Sequence, residues 1–100
     1  VLAVAGDVVV ETAPRLEAAL AAATTRDVVL DLSAVPFMDS TGLRVIFSAR
    51  DAATAAGCRL VPVVPPDGQV EGLLDFIELK ESLATAPSRE QALANLEARA

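Results

Sequence analysis

Val28-Val29-Leu30-Asp31-Leu32 constrains this chain more than any other segment. The run is almost continuously apolar and too short for a stable helix. Successive side chains of a strand point to opposite faces, so a strand apolar on both must be covered on both. The segments on either side have a different period. Before it, Leu16, Ala19, Leu20 and Ala23 recur at helical spacing opposite Arg15 and Glu17. After it, Leu43, Ile46, Phe47, Arg50 and Ala53 do the same. A buried strand between two amphipathic helices predicts a layered α/β fold.

The rest of the chain extends the alternation. Val1-Leu2-Ala3-Val4-Ala5 reads as a strand ended by Gly6-Asp7, and Val8-Val9-Val10 as a short extended continuation. Thr12 is placed to cap the first helix, with Pro14 in its first turn and fraying at Thr24-Thr25. Ser33 to Asp39 is a loop containing Pro36. The second helix starts near Ser40, runs to Ala56 and stops at Gly57. Arg59 to Val64 is a strand closed by Pro65-Pro66. Asp67 can cap a short helix holding Val70, Leu73, Leu74 and Phe76. A brief strand is expected near Ser82-Leu83-Ala84. Ser88, with Gln91 three residues on, opens a last helix whose apolar positions are Ala92, Leu93 and Leu96.

The expected architecture is a single α/β domain over residues 1–100. Its sheet is mixed, mostly parallel and four- to five-stranded, with about four helices packed on it and right-handed crossovers. The chain opens at Val1 directly in a strand-like run, as a piece of a longer chain would. No apolar run reaches the roughly 18 residues of a transmembrane helix.

Composition excludes several functions. At 53% hydrophobic residues the chain is not a disordered tail, and three Phe are its only aromatics. Stacking platforms for bases are therefore scarce. A net charge of −6 disfavours nucleic acid and anionic membranes, both of which attract Lys and Arg. No histidine is present, so imidazole catalysis and histidine metal sites are absent. Cys58 is a lone thiol beside a strand and reads as a small buried hydrophobe, in keeping with a reducing cytoplasm. The acidic residues Asp51, Glu71, Glu78 and Glu81 read as solubilising; their spacing forms no calcium loop. Arg44 and Arg50 read as solvated charges on the second helix. No cofactor or metal is expected.

The loop after the central strand is the candidate site. In an open α/β sheet, ligands and partners engage the carboxyl ends of the strands. Asp39-Ser40-Thr41-Gly42 lies past such an end, where the first N–H groups of a helix lack intrahelical partners. Asp39 or Ser40 can cap them. Gly42 removes a side chain beside the hydroxyl, leaving room for another backbone or a nucleotide. A phosphate on Ser40 would lie near the positive end of the helix dipole and beside Asp39. Read alone, these four residues also describe an ordinary helix start. A nucleophilic serine lacks a histidine base, nothing brings Lys80 to Ser40, and no Walker-type Gly-Lys-Ser/Thr occurs.

Asp31-Leu32-Ser33-Ala34-Val35-Pro36-Phe37-Met38-Asp39-Ser40-Thr41-Gly42-Leu43 resembles the signature of the STAS domain, and more closely that of the bacterial anti-sigma factor antagonists. Gly6-Asp7-Val8 with Thr12-Ala13-Pro14, Gly57-Cys58-Arg59-Leu60, Leu73 to Leu79, and Ser88 to Leu93 resemble further family segments. The resemblance implies a cytoplasmic, non-enzymatic regulator of stress-response transcription, monomeric or weakly dimeric. Its implied partner is an anti-sigma factor serine kinase of the histidine-kinase-like ATPase fold, whose capture frees a sigma factor. It implies Ser40 as the phosphoacceptor and a metal-dependent serine phosphatase that reverses the modification. Asp39, Thr41, Gly42 and Arg44 are the implied supporting and partner-contact residues. The alternative is a non-switching STAS interaction module in a lipid-transport ATPase complex, a stressosome-like scaffold or a larger sensor protein. The chain departs from the family pattern at Val9, where an acidic residue is usual, and at Ile77-Glu78, where a Thr/Ser-Gly turn is common. The resemblance also implies a first strand ahead of Val1, either absent or lying outside this sequence.

Overall fold

The computed structural model describes residues 1–23, 26–76 and 83–98. Its elements run β1 (Leu2–Ala5), α1 (Ala13–Ala23), β2 (Val28–Ala34), α2 (Ser40–Ala55), β3 (Leu60–Val63), α3 (Gln69–Phe76) and α4 (Arg89–Ala98). The strands form one sheet in the order β1-β2-β3, with both ladders parallel. Central placement of β2 follows from its composition. Val28, Leu30 and Leu32 enter the larger core with α1, α2 and α3, while Val29 faces the smaller one with Ala92 and, at its margin, Leu96 of α4. Three helices thus cover one face and α4 covers the other.

The sheet is smaller than expected, with three strands among the described residues rather than four or five. Val8 makes a single parallel bridge to Met38, and the chain then turns at Val9 instead of continuing as a strand. The Thr12 hydroxyl holds that turn. It accepts from the Val9 N–H at 3.0 Å and donates to the Asp7 carbonyl at 2.8 Å, so it closes the approach to α1 rather than capping the helix. The strand expected near Ser82 does not form at Leu83-Ala84, where Ala84 has φ +53°. That left-handed conformation is incompatible with a strand. Edge pairing falls to Ala86 instead. Its N–H donates to the Pro62 carbonyl at 2.9 Å, and its carbonyl accepts from the Val64 N–H at 2.8 Å. A strand residue's N and C=O face the same side, so Pro62 turns its donorless nitrogen away from β2 and costs that ladder nothing. The readings at Thr24-Thr25, Ile77-Glu78, Leu79, Lys80, Glu81 and Ser82 lie outside the described residues.

The end of α2 matches its signal. Gly57 has φ +76°, its N–H donates to the Thr54 carbonyl at 3.0 Å, and the Cys58 N–H reaches the Ala53 carbonyl at 2.8 Å. This paired arrangement satisfies the last carbonyls of the helix and needs a left-handed residue where glycine stands. Ser88 opens α4 by accepting the Gln91 N–H at 3.1 Å. The Gln91 amide turns to Asn95 rather than back to Ser88, so only half of a capping box forms. Leu93 is exposed, and α4 packs through Ala92 and Leu96. Asp67 does not cap α3; it adopts φ +63°, and Gly68 supplies the first carbonyl of the helix to Gly72.

Asp31 is the one charged side chain in the core among the described residues. Its carboxylate accepts from the Ser33 N–H at 2.9 Å, from the Ser33 hydroxyl, and from Nε of Arg89 on α4. Burial pushes the Asp31 carboxyl up, but the Ser33 hydroxyl and amide and the Arg89 guanidinium together hold it below its ordinary value. Asp27 and Arg59 make a second tie. The Arg59 N–H donates to the Asp27 carboxylate at 2.8 Å, and its guanidinium reaches the Asn95 carbonyl at 3.2 Å.

Candidate functional site

The site is built where β2 ends and α2 begins. Past Ala34 the chain no longer pairs in the sheet, yet Phe37-Met38-Asp39 stays extended, held by its neighbours. The Val8 N–H donates to the Phe37 carbonyl at 2.9 Å, and the Asp39 N–H donates to the Val8 carbonyl at 3.1 Å. The Met38 side chain is fully buried in the larger core. Met38 is thus an anchor, and it aims the next two residues outward.

Asp39 is the cap of α2. Its φ of −105° and ψ of −176° are extended, and its Oδ1 accepts the N–H groups of Thr41 at 2.9 Å and Gly42 at 3.3 Å. The aspartate therefore occupies the orphan donors that sequence reasoning left to either Asp39 or Ser40. Ser40, the first residue of α2, is exposed. A modification at its hydroxyl meets a helix start whose nearest donors already serve a carboxylate. The positive end of the helix dipole still favours an anion there, while Asp39 opposes it.

The other expected residues divide. Thr41 is half-buried. Gly42 is buried and faces inward, against the Val8 and Met38 side chains. Its role is close packing of α2 against the Val8 segment, so it offers no surface for contact. Arg44 is exposed one helical turn beyond Ser40, on the same face. Arg50 keeps part of its side chain in solvent but also has neighbours on the helix. It lies half-buried over the Phe47 ring, 5.0 Å from the centroid, and reaches the Asp51 carboxylate at 3.3 Å. Glu71 likewise has a structural task, accepting the Asp67 N–H at 2.9 Å.

Two apolar residues near the site have an exposure that the sequence did not indicate. Phe37 is 43% exposed and Val10 60% exposed, and each lies two residues from a member of the Val8–Met38 bridge or nearer. Phe37 adjoins an otherwise buried methionine, so in sequence it passes for core. Val9, half-buried, follows the residue whose carbonyl receives the Asp39 N–H. The site's flank is therefore apolar at position 9, with Asp7 and Glu11 exposed on either side. Among the described residues no three acidic or cysteine side chains group as metal ligands do, and no helix is long and apolar enough to cross a membrane.

The fold is thus a parallel α/β sheet whose central strand leads into a capped helix start that leaves Ser40 exposed. The family model of the STAS domain matches residues 1–92, and the chain belongs to that family. A crystal structure from Thermotoga maritima, of a chain assigned as an anti-sigma factor antagonist, superposes with a TM-score of 0.78 at 20% identity, covering 92% of this chain and 81% of that one. At that identity the likeness is one of fold. The crystal structure of an anti-sigma factor antagonist from Mycobacterium paratuberculosis superposes with a TM-score of 0.76 at 27% identity, covering 95% of this chain and 82% of that one. No curated protein matches the chain.

Proposed function

We propose that this chain is an anti-sigma factor antagonist switched by phosphorylation at Ser40. In its unmodified form it binds an anti-sigma factor that is also a serine kinase of the histidine-kinase-like ATPase fold, and the sigma factor is released. The carrying observation is the exposed Ser40 at the start of α2, directly after the capping Asp39. The similarity to a mycobacterial anti-sigma factor antagonist supports the role.

The physical argument for a switch is local. The Ser40 oxygen attacks the γ-phosphorus of ATP, the bond to the bridging oxygen breaks, and ADP leaves. The hydroxyl proton goes to a base on the kinase. The phosphoryl group adds roughly −1.5 to −2 charges beside Asp39. The helix dipole tolerates that charge within the fold, whereas a partner surface docked on Ser40 must accommodate its bulk and like-charge repulsion. A metal-dependent serine phosphatase would restore the hydroxyl. Asp39 and Thr41 set the acceptor geometry, and Arg44 with Phe37 and Val10 form the contact surface. Such a cycle runs in the bacterial cytoplasm, where ATP and the transcription machinery are, and regulates a stress response. The chain acts by binding, not catalysis.

Val9 favours a second reading, a STAS module that binds its partner without switching. An apolar residue beside the Asp39 anchor lowers the negative charge near the acceptor relative to the family pattern. Affinity capture from the source cell with wild-type, Ser40→Ala and Ser40→Asp chains separates the two. A switching antagonist recovers a kinase-type ATPase with the first two and loses it with the third. Equal recovery by all three defeats the switch and supports the constitutive module.

A further inference from the structure

The Met38 backbone is bonded on two sides. Val8 flanks it through the bridge already described. On the opposite side stands the carboxamide of Gln69, the first residue of α3. The Met38 N–H donates to Gln69 Oε1 at 2.7 Å, and Gln69 Nε2 donates to the Met38 carbonyl at 3.0 Å. The carboxamide here uses its oxygen as one acceptor and one of its two N–H groups as a donor, as a neighbouring strand does for a residue it pairs with. Gln69 therefore acts as a one-residue surrogate strand, and Val8, Met38 and Gln69 form a short row beyond the end of the sheet. Both bonds together also settle which amide atom is oxygen and which is nitrogen.

We propose that Gln69 is a positioning residue for Ser40, a role that rests on the phosphoacceptor reading above. Only Asp39 separates Met38 from Ser40. That residue carries its N–H to Val8 and its carboxylate to Thr41 and Gly42. Any slip of Met38 is passed through Asp39 to the cap and to the direction in which Ser40 is presented. Gln69 blocks that slip and makes the start of α3 part of the site's support. Its residue is otherwise exposed, so the pair of bonds can be removed without opening the core.

The test is amide hydrogen exchange by NMR on the full chain, comparing wild type with Gln69→Leu and Gln69→Glu. Gln69→Leu should speed exchange of the Met38 amide by roughly tenfold or more and broaden Ser40, Thr41 and Gly42, while Leu30 and Val61 keep wild-type rates. Gln69→Glu keeps the acceptor but loses the donor at neutral pH. Protonation of the new carboxyl restores an O–H donor, so Met38 protection should rise as pH falls through the carboxylate range. A role in packing alone has no such pH profile. Unchanged Met38 exchange and unmoved Ser40 resonances in Gln69→Leu would overturn the proposal. With the captured kinase, Gln69→Leu should lower kcat for Ser40 more than it changes KM; an unchanged kcat overturns the positioning role. A turn loosened in Gln69→Leu, together with a wild-type chain that takes no phosphate, would sink the phosphoacceptor reading while leaving the Gln69 tether standing.

Discussion

Gly42 and Val8 touch without room for one more carbon. A Cβ built on Gly42 would lie 2.7 Å from Val8 Cγ1, 2.7 Å from Met38 Cγ and 3.2 Å from the Val8 carbonyl oxygen. The backbone oxygen cannot swing aside, and both side chains are buried. The first turn of α2 therefore rests directly on the segment that anchors Asp39.

Gly42→Ala should accordingly destabilise the fold by about 1–3 kcal/mol, the usual cost of overpacking, despite alanine's better helix propensity. Urea unfolding measures it. A stability equal to or above wild type would show that Val8 and Met38 give way easily. Gly57→Ala is a contrasting control, because nothing lies within 4 Å of its added Cβ and only its φ of +76° resists.

The Asp39 cap can be tested apart from its charge. Asp39→Ala removes the acceptor of two backbone N–H groups and should cost about 1 kcal/mol, up to about 2. Asp39→Asn retains an acceptor oxygen and should cost clearly less. The two denaturation midpoints decide this; equal losses would assign the effect to charge and not to capping.

Ser40 should be separable from stability altogether. It is exposed at the first position of α2, so Ser40→Ala and Ser40→Asp should both unfold within about 0.5 kcal/mol of wild type. Incubation with the captured kinase and ATP should add one phosphate to wild type and none to Ser40→Ala, read by intact mass. Equal labelling of Ser40→Ala would move the acceptor elsewhere.

Asp31 links pH to the attachment of α4. Its carboxyl sits below its ordinary value in the folded chain, so folding binds fewer protons than unfolding there. Its contribution is complete above the unfolded value near 3.8 and is lost as pH falls through the lower folded value. Urea midpoints taken from neutral to strongly acidic pH should fall less steeply below about pH 4 for Asp31→Asn than for wild type. Arg89→Gln should fall between them, since the Ser33 bonds remain. Parallel curves for all three would exclude Asp31 as a source of acid sensitivity.

Local signals carried far. The double-sided apolar run of β2, the Gly57 stop and the Ser88 cap are all short-range devices, and each appears where its residues predict. The two extra strands failed for a different reason. Val8-Val9-Val10 has strand composition, but Thr12 bends it through two hydrogen bonds that no propensity encodes. Ala84 takes a left-handed conformation that its residue type disfavours. The candidate site divides in the same way. The helix start at Ser40 was legible because it is a local pattern, although the choice of Asp39 over Ser40 as its cap was not. Gln69 was not, because a glutamine opening an exposed helix looks like surface until Met38, 31 residues earlier, is beside it.

The amino-acid sequence by itself determined the α/β alternation, the central strand, the extent of α2 and an exposed hydroxyl after Asp39. These depend on side-chain period and on backbone groups within a few residues. Tertiary structure alone decided what holds that hydroxyl in place: Val8 on one side of Met38, Gln69 on the other, and Gly42 pressed beneath. It also decided that Asp31 lies buried against Arg89, 58 residues away. Contacts of that kind arise only when distant segments share one core, where shape and unsatisfied backbone groups, not local preference, select the partner.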